Sequence, residues 1–316
     1  MSETPSTKLL LIDGSALLHR AYHAMPGLTN SSGQVVNAVY GFFSMLLTVL
    51  AEQKPTHLVI CFDRTKPTVR QSMFAGYHAH RPKMESDLSD QFKLIDELLE
   101  VMKVHVASAD GYEGDDVIGT YARQAVEEGI GQVIIVTGDR DLLQLVNDKT
   151  KILMTITGMT KTALFDATMV EEKYGVTPAQ FIDYKALIGD QSDGYPGITG
   201  IGPKTAASLL QKFGTFENIF MKLDQLPEGT ALKLATDAEQ GALAKKLAAI
   251  ILDAPVHLKL DTCRIEDLDF VSVRKGFEAH QFKSLITRLD AKNPPRVEEV
   301  KIEVKKDKDE EQLGLL

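Results

Sequence analysis

The sequence predicts an α/β protein with a mostly parallel sheet covered by helices and an α-helical subdomain in its second half. Three observations carry this. Short apolar runs alternate with helix-period segments through the first half. After Thr177 the strand signal fades while helical periodicity persists. The 316 residues, 44% hydrophobic and 25% charged, suffice for one large α/β body and a smaller unit.

The expected strands are Lys8–Ile12, His57–Phe62, Val104–Ala107 and Gln132–Thr137, each a short apolar run. A hairpin should follow, Lys151–Ile156 with Thr162–Phe165, turned by Thr157-Gly158. Helical periodicity covers Val36–Glu52, Leu88–Met102, Asp115–Glu127 and Glu239–Leu252. Arg64–Asp87 breaks the rhythm: it mixes Arg70, Tyr77, His78, His80, Arg81 and Lys83 with prolines and reads as a long excursion over the body. The division is then a core over 1–176, a helical subdomain over 177–290 and a tail over 291–316. That tail has Pro294-Pro295 and mixed charge with few apolar residues, so disorder is expected.

No stretch reads as a membrane span, since the longest apolar run, Val39–Leu50, carries Tyr40, Ser44 and Thr48 and is broken by Glu52. MSETPSTK lacks the basic and apolar regions of an export signal. Two cysteines are too few for a disulfide framework or a thiolate zinc site. A cytoplasmic monomer is the expectation. The net charge of −9 argues at first against nucleic acid, whose partners are usually basic. Setting nine of the 44 acids aside as metal ligands leaves 35 against 35 basic residues, and divalent metal would turn the local field positive.

Those nine acids are placed suggestively. Asp13 ends the first strand, Asp63 follows the second, and Asp139 and Asp141 follow the fourth, the edge where open α/β sheets carry their sites. A single such aspartate serves equally well as a helix N-cap or turn residue; three strands ending alike ask for more. Glu113, Asp115 and Asp116 open a helix, where acids also favour the dipole, and Asp190 and Asp193 lie three apart beside a glycine turn. Crowded carboxylates repel unless a cation lies among them, and oxygen-only ligands suit Mg²⁺ or Mn²⁺. Two ions about 4 Å apart are a recurring solution for phosphodiester hydrolysis.

GITGIGPKTA (197–206) has glycines at 197, 200 and 202 and Lys204 between helical patterns. It reads as a helix–hairpin–helix whose backbone N–H groups and lysine grip a duplex phosphate without reading sequence, or as a plain glycine turn between packed helices. Its position just after Asp190 and Asp193 favours the former.

Together, LLIDGSALLHRAYHA, FD at 62–63, YEGDD at 112–116, GDRDLLQL at 138–145 and GDQSDGYPGITGIGPKTA at 189–206 resemble the 5′-nuclease family over about Lys8–Asp290. That family includes the 5′→3′ exonuclease domain of bacterial DNA polymerase I, phage and bacterial 5′ nucleases, and flap endonucleases. The resemblance implies a PIN-like core, two-metal hydrolysis, and a helical arch about 64–102 through which a 5′ single strand threads. Its metal ligands fall on Asp13, Asp63, Glu113, Asp115, Asp116, Asp139, Asp141, Asp190 and Asp193. It implies Arg70, Tyr77, His78, Arg81 and Lys83 on the single strand and scissile phosphate. Gly200, Gly202, Lys204 and Thr205, in a hairpin over 189–213, would hold duplex, with K⁺ bound by backbone carbonyls.

Two positions depart from the family. Its arch commonly has Tyr-Lys-Ala-Asn-Arg; here it is Tyr77-His78-Ala79-His80-Arg81, so His78 or Lys83 is expected to replace the lysine in part while Arg81 keeps its role. After the last acid Gly194-Tyr195 stands for the usual Asn-Leu or Asn-Ile. No polymerase or proofreading domain follows, as in a stand-alone enzyme or an excised domain. The final QLGLL, with Gln312, Leu313, Leu315 and Leu316 as contacts, resembles peptides that dock on the bacterial sliding clamp, or is an incidental apolar end.

The reading is a structure-specific 5′→3′ exonuclease and flap endonuclease acting on DNA with 5′ ends or flaps and on RNA primers on DNA, in primer removal and repair. A PIN-type ribonuclease shares the acids but gives no reason for hairpin and arch. A DNA-junction scaffold with structural acids is the non-enzymatic rival.

Overall fold

A computed structural model of the chain describes residues 7–64, 67–81, 84–158 and 161–291, with the backbone of 298–299. The clamp-like peptide and Lys83 lie outside these residues. In chain order come β1 (Lys8–Asp13), α1 (Gly14–Ala24), α2 (Asn37–Gln53), β2 (His57–Cys61), α3 (Val69–Met73), α4 (Ser86–Val101) and β3 (His105–Ala107). They continue with α5 (Gly114–Glu127), β4 (Gln132–Thr137), β5 (Thr150–Thr157), β6 (Lys161–Phe165), α6 (Ala167–Tyr174) and α7 (Phe181–Ile188). A small hairpin, β7 (Gly189–Asp190) and β8 (Tyr195–Pro196), precedes α8 (Pro203–Phe213), α9 (Phe216–Met221), α10 (Glu228–Thr236) and α11 (Ala238–Ala248). The last helices are α12 (Phe270–Ala279) and α13 (Lys283–Asp290), and a short β9 (Glu298–Glu299) closes the sheet.

The sheet runs β3-β2-β1-β4-β5-β6-β9 and is parallel except for the β5–β6 hairpin. Strand order reverses between β1 and β4, which opens a crevice beyond their carboxyl ends. Leu9 and Leu11 pack with Val59, Val133, Ile135 and Ile152 against α5, while Leu10 and Ile12 pack with Leu58, Ile60, Ile134 and Val136 against α1, α2 and α4. Because side chains alternate along a strand, a sheet buried on both faces reads as a continuous apolar run, as these strands do.

The stretch expected to arch divides in two. Its second half, α4, is a body helix: Leu88, Leu94, Ile95, Leu98 and Leu99 are buried at helical spacing against α2 and α12. Gln91 is fully buried, accepts from Ala38 N at 2.7 Å and donates to Asn37 Oδ1 at 3.1 Å. It thereby caps the start of α2, which has no local side-chain cap. The arch expectation is corrected to the part before Ser86.

The helix expected over Glu239–Leu252 stops at Ala248. Beyond it the chain is extended, with the carbonyls of Leu247 and Ala249 accepting from Arg70 and the Ile251 N–H donating to Asp116. In the small hairpin the backbones of Gly189 and Gly197 touch: a Cβ on Gly189 would lie 2.3 Å from Gly197 N, and one on Gly197 2.2 Å from Gly189 N. That closeness sets the turn carrying Asp190 and Asp193.

Candidate metal and nucleic-acid site

The carboxyl ends of β1, β2 and β4 bring together the acids that follow them. Asp13, 5% exposed, takes the N-cap role that was its alternative reading: Oδ1 accepts from Ala16 N at 2.9 Å and caps α1, while Oδ2 accepts from the Thr137 hydroxyl at 2.7 Å in the crevice. Asp63 accepts from Gly114 N at 2.7 Å, joining the end of β2 to the first turn of α5 and so to Asp115. Asp139 accepts from Asp141 N at 2.7 Å. The Asp141, Asp190 and Asp193 carboxylates each offer an oxygen within 4.8 Å of the others.

The acids strain against ionisation. Burial first, then Asp63, pushes Asp13 up to about 7. Burial pushes Asp141 up to about 8 although Lys185 opposes it. Asp115 stands well above the carboxylate range through burial and then Asp139, Asp13, Asp63 and Glu113. Asp139 is raised by burial and by Asp193 and Asp190. It therefore links the two groups into one field. Mutually repelling oxygen-only donors, from the buried Asp13, Asp141 and Asp193 to the half-buried Asp115 and Asp139, are the set a hard divalent cation relieves, so the residues present fit such an ion.

Asp116 stands apart and corrects the ninefold ligand expectation. It is 1% exposed and bound in a fork by Arg70, with Nη1 2.8 Å from Oδ2 and Nη2 2.8 Å from Oδ1. Its oxygens also accept from Glu113 N and Ile251 N. Arg70 and Tyr77, expected on the single strand, are likewise inside: they are 3% and 5% exposed. Arg70 Nη1 lies 3.2 Å from Glu113 Oε2, and the Tyr77 hydroxyl donates to the same oxygen at 3.0 Å. A charged and aromatic segment reads as surface in one dimension; the short helix α3 turns it inward onto carboxylates.

Tyr77 continues into the Asp193 turn. Its ring stacks on His78 and Tyr195, with centroids 4.0 and 6.4 Å away. His78 donates its N–H to Asp193 O at 2.8 Å, and both His78 Nε2 and Arg81 Nη2 lie 3.0 Å from Asp193 Oδ1. The departure at Gly194 finds its reason here. Its φ of +79° is reached by glycine and asparagine alike, but a Cβ would sit 2.8 Å from Gly76 O. Glycine lets the 74–81 loop close on the turn. Gly200, Gly202, Lys204 and Thr205 form an exposed turn and the first turn of α8, with Lys233 Nζ bracing Gly200 O at 3.2 Å.

The sequence reading missed Lys185 and Thr137. Lys185, on α7, is 7% exposed, 2.6 Å from Asp141 and also paired with Asp190. A lysine in the apolar run FIDYKALI was the available signal. Thr137, fully buried, joins Asp13 to Asp139 by donating to the one and accepting from the other's N–H.

The raised acids give a pH prediction. Between the ordinary 3.8 and about 7 for Asp13, or about 8 for Asp141, the folded metal-free protein holds protons the unfolded chain has released. Unfolding free energy then falls with rising pH. In EDTA, Tm should fall from about pH 5 to about pH 8, and Mg²⁺ should restore it at the upper end. Calorimetry at fixed ionic strength checks this; a Tm rising over that window refutes the crowding.

A model of the 5′-3′ exonuclease N-terminal resolvase-like domain matches residues 8–175, and one of the 5′-3′ exonuclease C-terminal SAM fold matches 176–270. The chain is 42% identical over 286 residues to DNA polymerase I of Bacillus caldotenax, covering 90% of this chain and 32% of that protein. It thus spans about a third of the length of the curated relatives it matches. Among solved structures it is similar in fold to T5 5′-exonuclease with bound zinc (TM-score 0.63, 19% identity, covering 89% of this chain and 98% of that one). It is also similar to the bacteriophage T5 flap endonuclease in a pseudo-enzyme–product complex with DNA and metal ions (TM-score 0.62, 20% identity, 90% and 100% covered).

Proposed function

This chain belongs to the 5′-3′ exonuclease family, and from that membership we propose that it is a structure-specific 5′→3′ exonuclease and flap endonuclease. Its substrates are DNA with 5′ ends or flaps and RNA primers on DNA, in primer removal and repair. The observation that carries this is the set of acids following β1, β2 and β4 at the point where the strand order reverses, beside Asp141, Asp190 and Asp193, whose oxygens lie within 4.8 Å of one another.

Asp13, Asp63, Glu113, Asp115 and Asp139 would hold one Mg²⁺ or Mn²⁺ and Asp141, Asp190 and Asp193 a second. Such ions supply hydroxide from water and stabilise the leaving 3′ oxygen. Thr137 orients Asp13 and Asp139 through its hydroxyl. His78 and Arg81, each 3.0 Å from Asp193 Oδ1, would meet a scissile phosphate beside it, and Lys83 would join them. The hairpin turn at Gly200, Gly202, Lys204 and Thr205 grips the duplex backbone, with K⁺ as the ion its carbonyls would hold. The peptide at Gln312–Leu316 docks on the sliding clamp; retained clamp pull-down after its deletion would remove that partner.

The test is a 5′-flap duplex labelled at its 5′ end, incubated with Mg²⁺ and with EDTA. Mg²⁺-dependent cleavage near the junction is expected. Tight binding without product would favour the junction scaffold, and cleavage confined to single-stranded RNA the PIN-type ribonuclease.

A further inference from the structure

Whereas Arg81, also seated on the acid cluster at Asp193, is half-exposed, Lys185 is a buried cation among carboxylates whose cation would be expected to come from solution. Its ammonium is nearly enclosed and reaches Asp141 and Asp190, two of the three carboxylates whose oxygens lie within 4.8 Å of one another. It stands on α7, which packs between α11 and α8, so the backbone that carries it is held in place.

A second observation concerns Tyr195, the residue at the family's usual leucine or isoleucine. Its hydroxyl is buried, the residue being 3% exposed, and has no hydrogen-bond partner. Asp141 and Lys185 are the charged groups that act on it most strongly. A buried hydroxyl without a partner is costly and calls for an explanation.

We propose that Lys185 is the built-in counter-cation of the Asp141–Asp190–Asp193 cluster, making it the weaker of two divalent-metal positions, and that the Tyr195 hydroxyl accepts the ammonium when it is displaced. The inference rests on the metal-dependent reading above. Two cations cannot share the same carboxylate oxygens at full strength, so Lys185 and a divalent ion compete for Asp141 and Asp190. The displaced ammonium, whose side chain is 9% exposed, needs an acceptor, and the buried, unpartnered phenol oxygen of Tyr195, on which its charge acts, supplies one. The consequence is ordered loading: the Asp13 side fills first, and the Asp141 side fills only at higher metal concentration.

The experiment counts bound Mn²⁺ by electron paramagnetic resonance of the free ion, titrating the metal-free 316-residue chain and three variants. The native protein should show two classes of site. Lys185→Met should tighten the weaker class at least tenfold and leave the stronger unchanged, while Lys185→Arg, which keeps the charge, should leave it weak. Tyr195→Phe should weaken the weaker class several-fold further. Thermal melts establish that each variant is folded, and Lys185→Gln replaces Lys185→Met if the latter is not. A weaker class that is unchanged or lost in the folded neutral variant overturns the proposal with the metal-dependent reading intact. Absence of any Mn²⁺ binding by the native protein would instead overturn that reading itself.

Discussion

Asp115→Asn should lower flap cleavage by about 10³-fold, taking several kcal/mol as the value of a ligand to a catalytic metal at 1.36 kcal/mol per tenfold. The same change should raise the Tm of the metal-free protein. Asp115 is forced far from its ordinary ionisation by burial and then by Asp139, Asp13, Asp63 and Glu113. A neutral isostere removes one member of that repulsion at no change in shape. Loss of activity joined to gain of apo stability separates this from a folding defect, which lowers both. The gain should be larger near pH 8 than near pH 5, because the neighbouring carboxyls ionise across that interval. An Asp115→Asn protein that cleaves flaps at the native rate would show that the first group of acids does not hold the catalytic metal.

Arg70→Met should cost about 3–5 kcal/mol of stability, the range for removing one partner of a buried ion pair, or a fall in Tm of about 10 °C. Arg70 binds Asp116 with two hydrogen bonds of 2.8 Å, and Leu247 O and Ala249 O at 2.8 and 2.7 Å. Its loss strands a carboxylate that is 1% exposed and frees the end of α11. The double variant Arg70→Met, Asp116→Leu should recover part of the loss: the Asp116 charge is no longer buried alone, but Glu113 still lacks its arginine and the Glu113 and Ile251 N–H groups lose their acceptor. Chemical denaturation of the two singles and the double measures the coupling. Native stability in Arg70→Met with weakened binding of single-stranded flaps would instead return Arg70 to the DNA surface.

Much of the site was legible because strands and their ends are local. An apolar run that stops at an aspartate announces both the strand and the edge on which the aspartate stands, as LLLID, HLVICFD and VIIVTGD do. The α4 pattern was legible as a helix too, but whether it stood free in an arch or lay on α2 depended on a helix that lies earlier in the chain and packs against it. The three acids of YEGDD looked alike in one dimension. Helix phase then set Asp116 toward the body, where Arg70, 46 residues earlier in the chain, met it.

The sequence by itself determined the sheet, its two-sided burial, the acids at its carboxyl edge, and the glycine turns that let backbones approach. These follow from periodicity and backbone sterics within a few residues. Only the tertiary structure decided which acids face one another, that Arg70 and Tyr77 brace Glu113 from within, that glycine at 194 admits the loop bearing His78, and that Lys185 stands among the acids. Charge interactions act through space, and the groups they join here lie tens of residues apart along the chain.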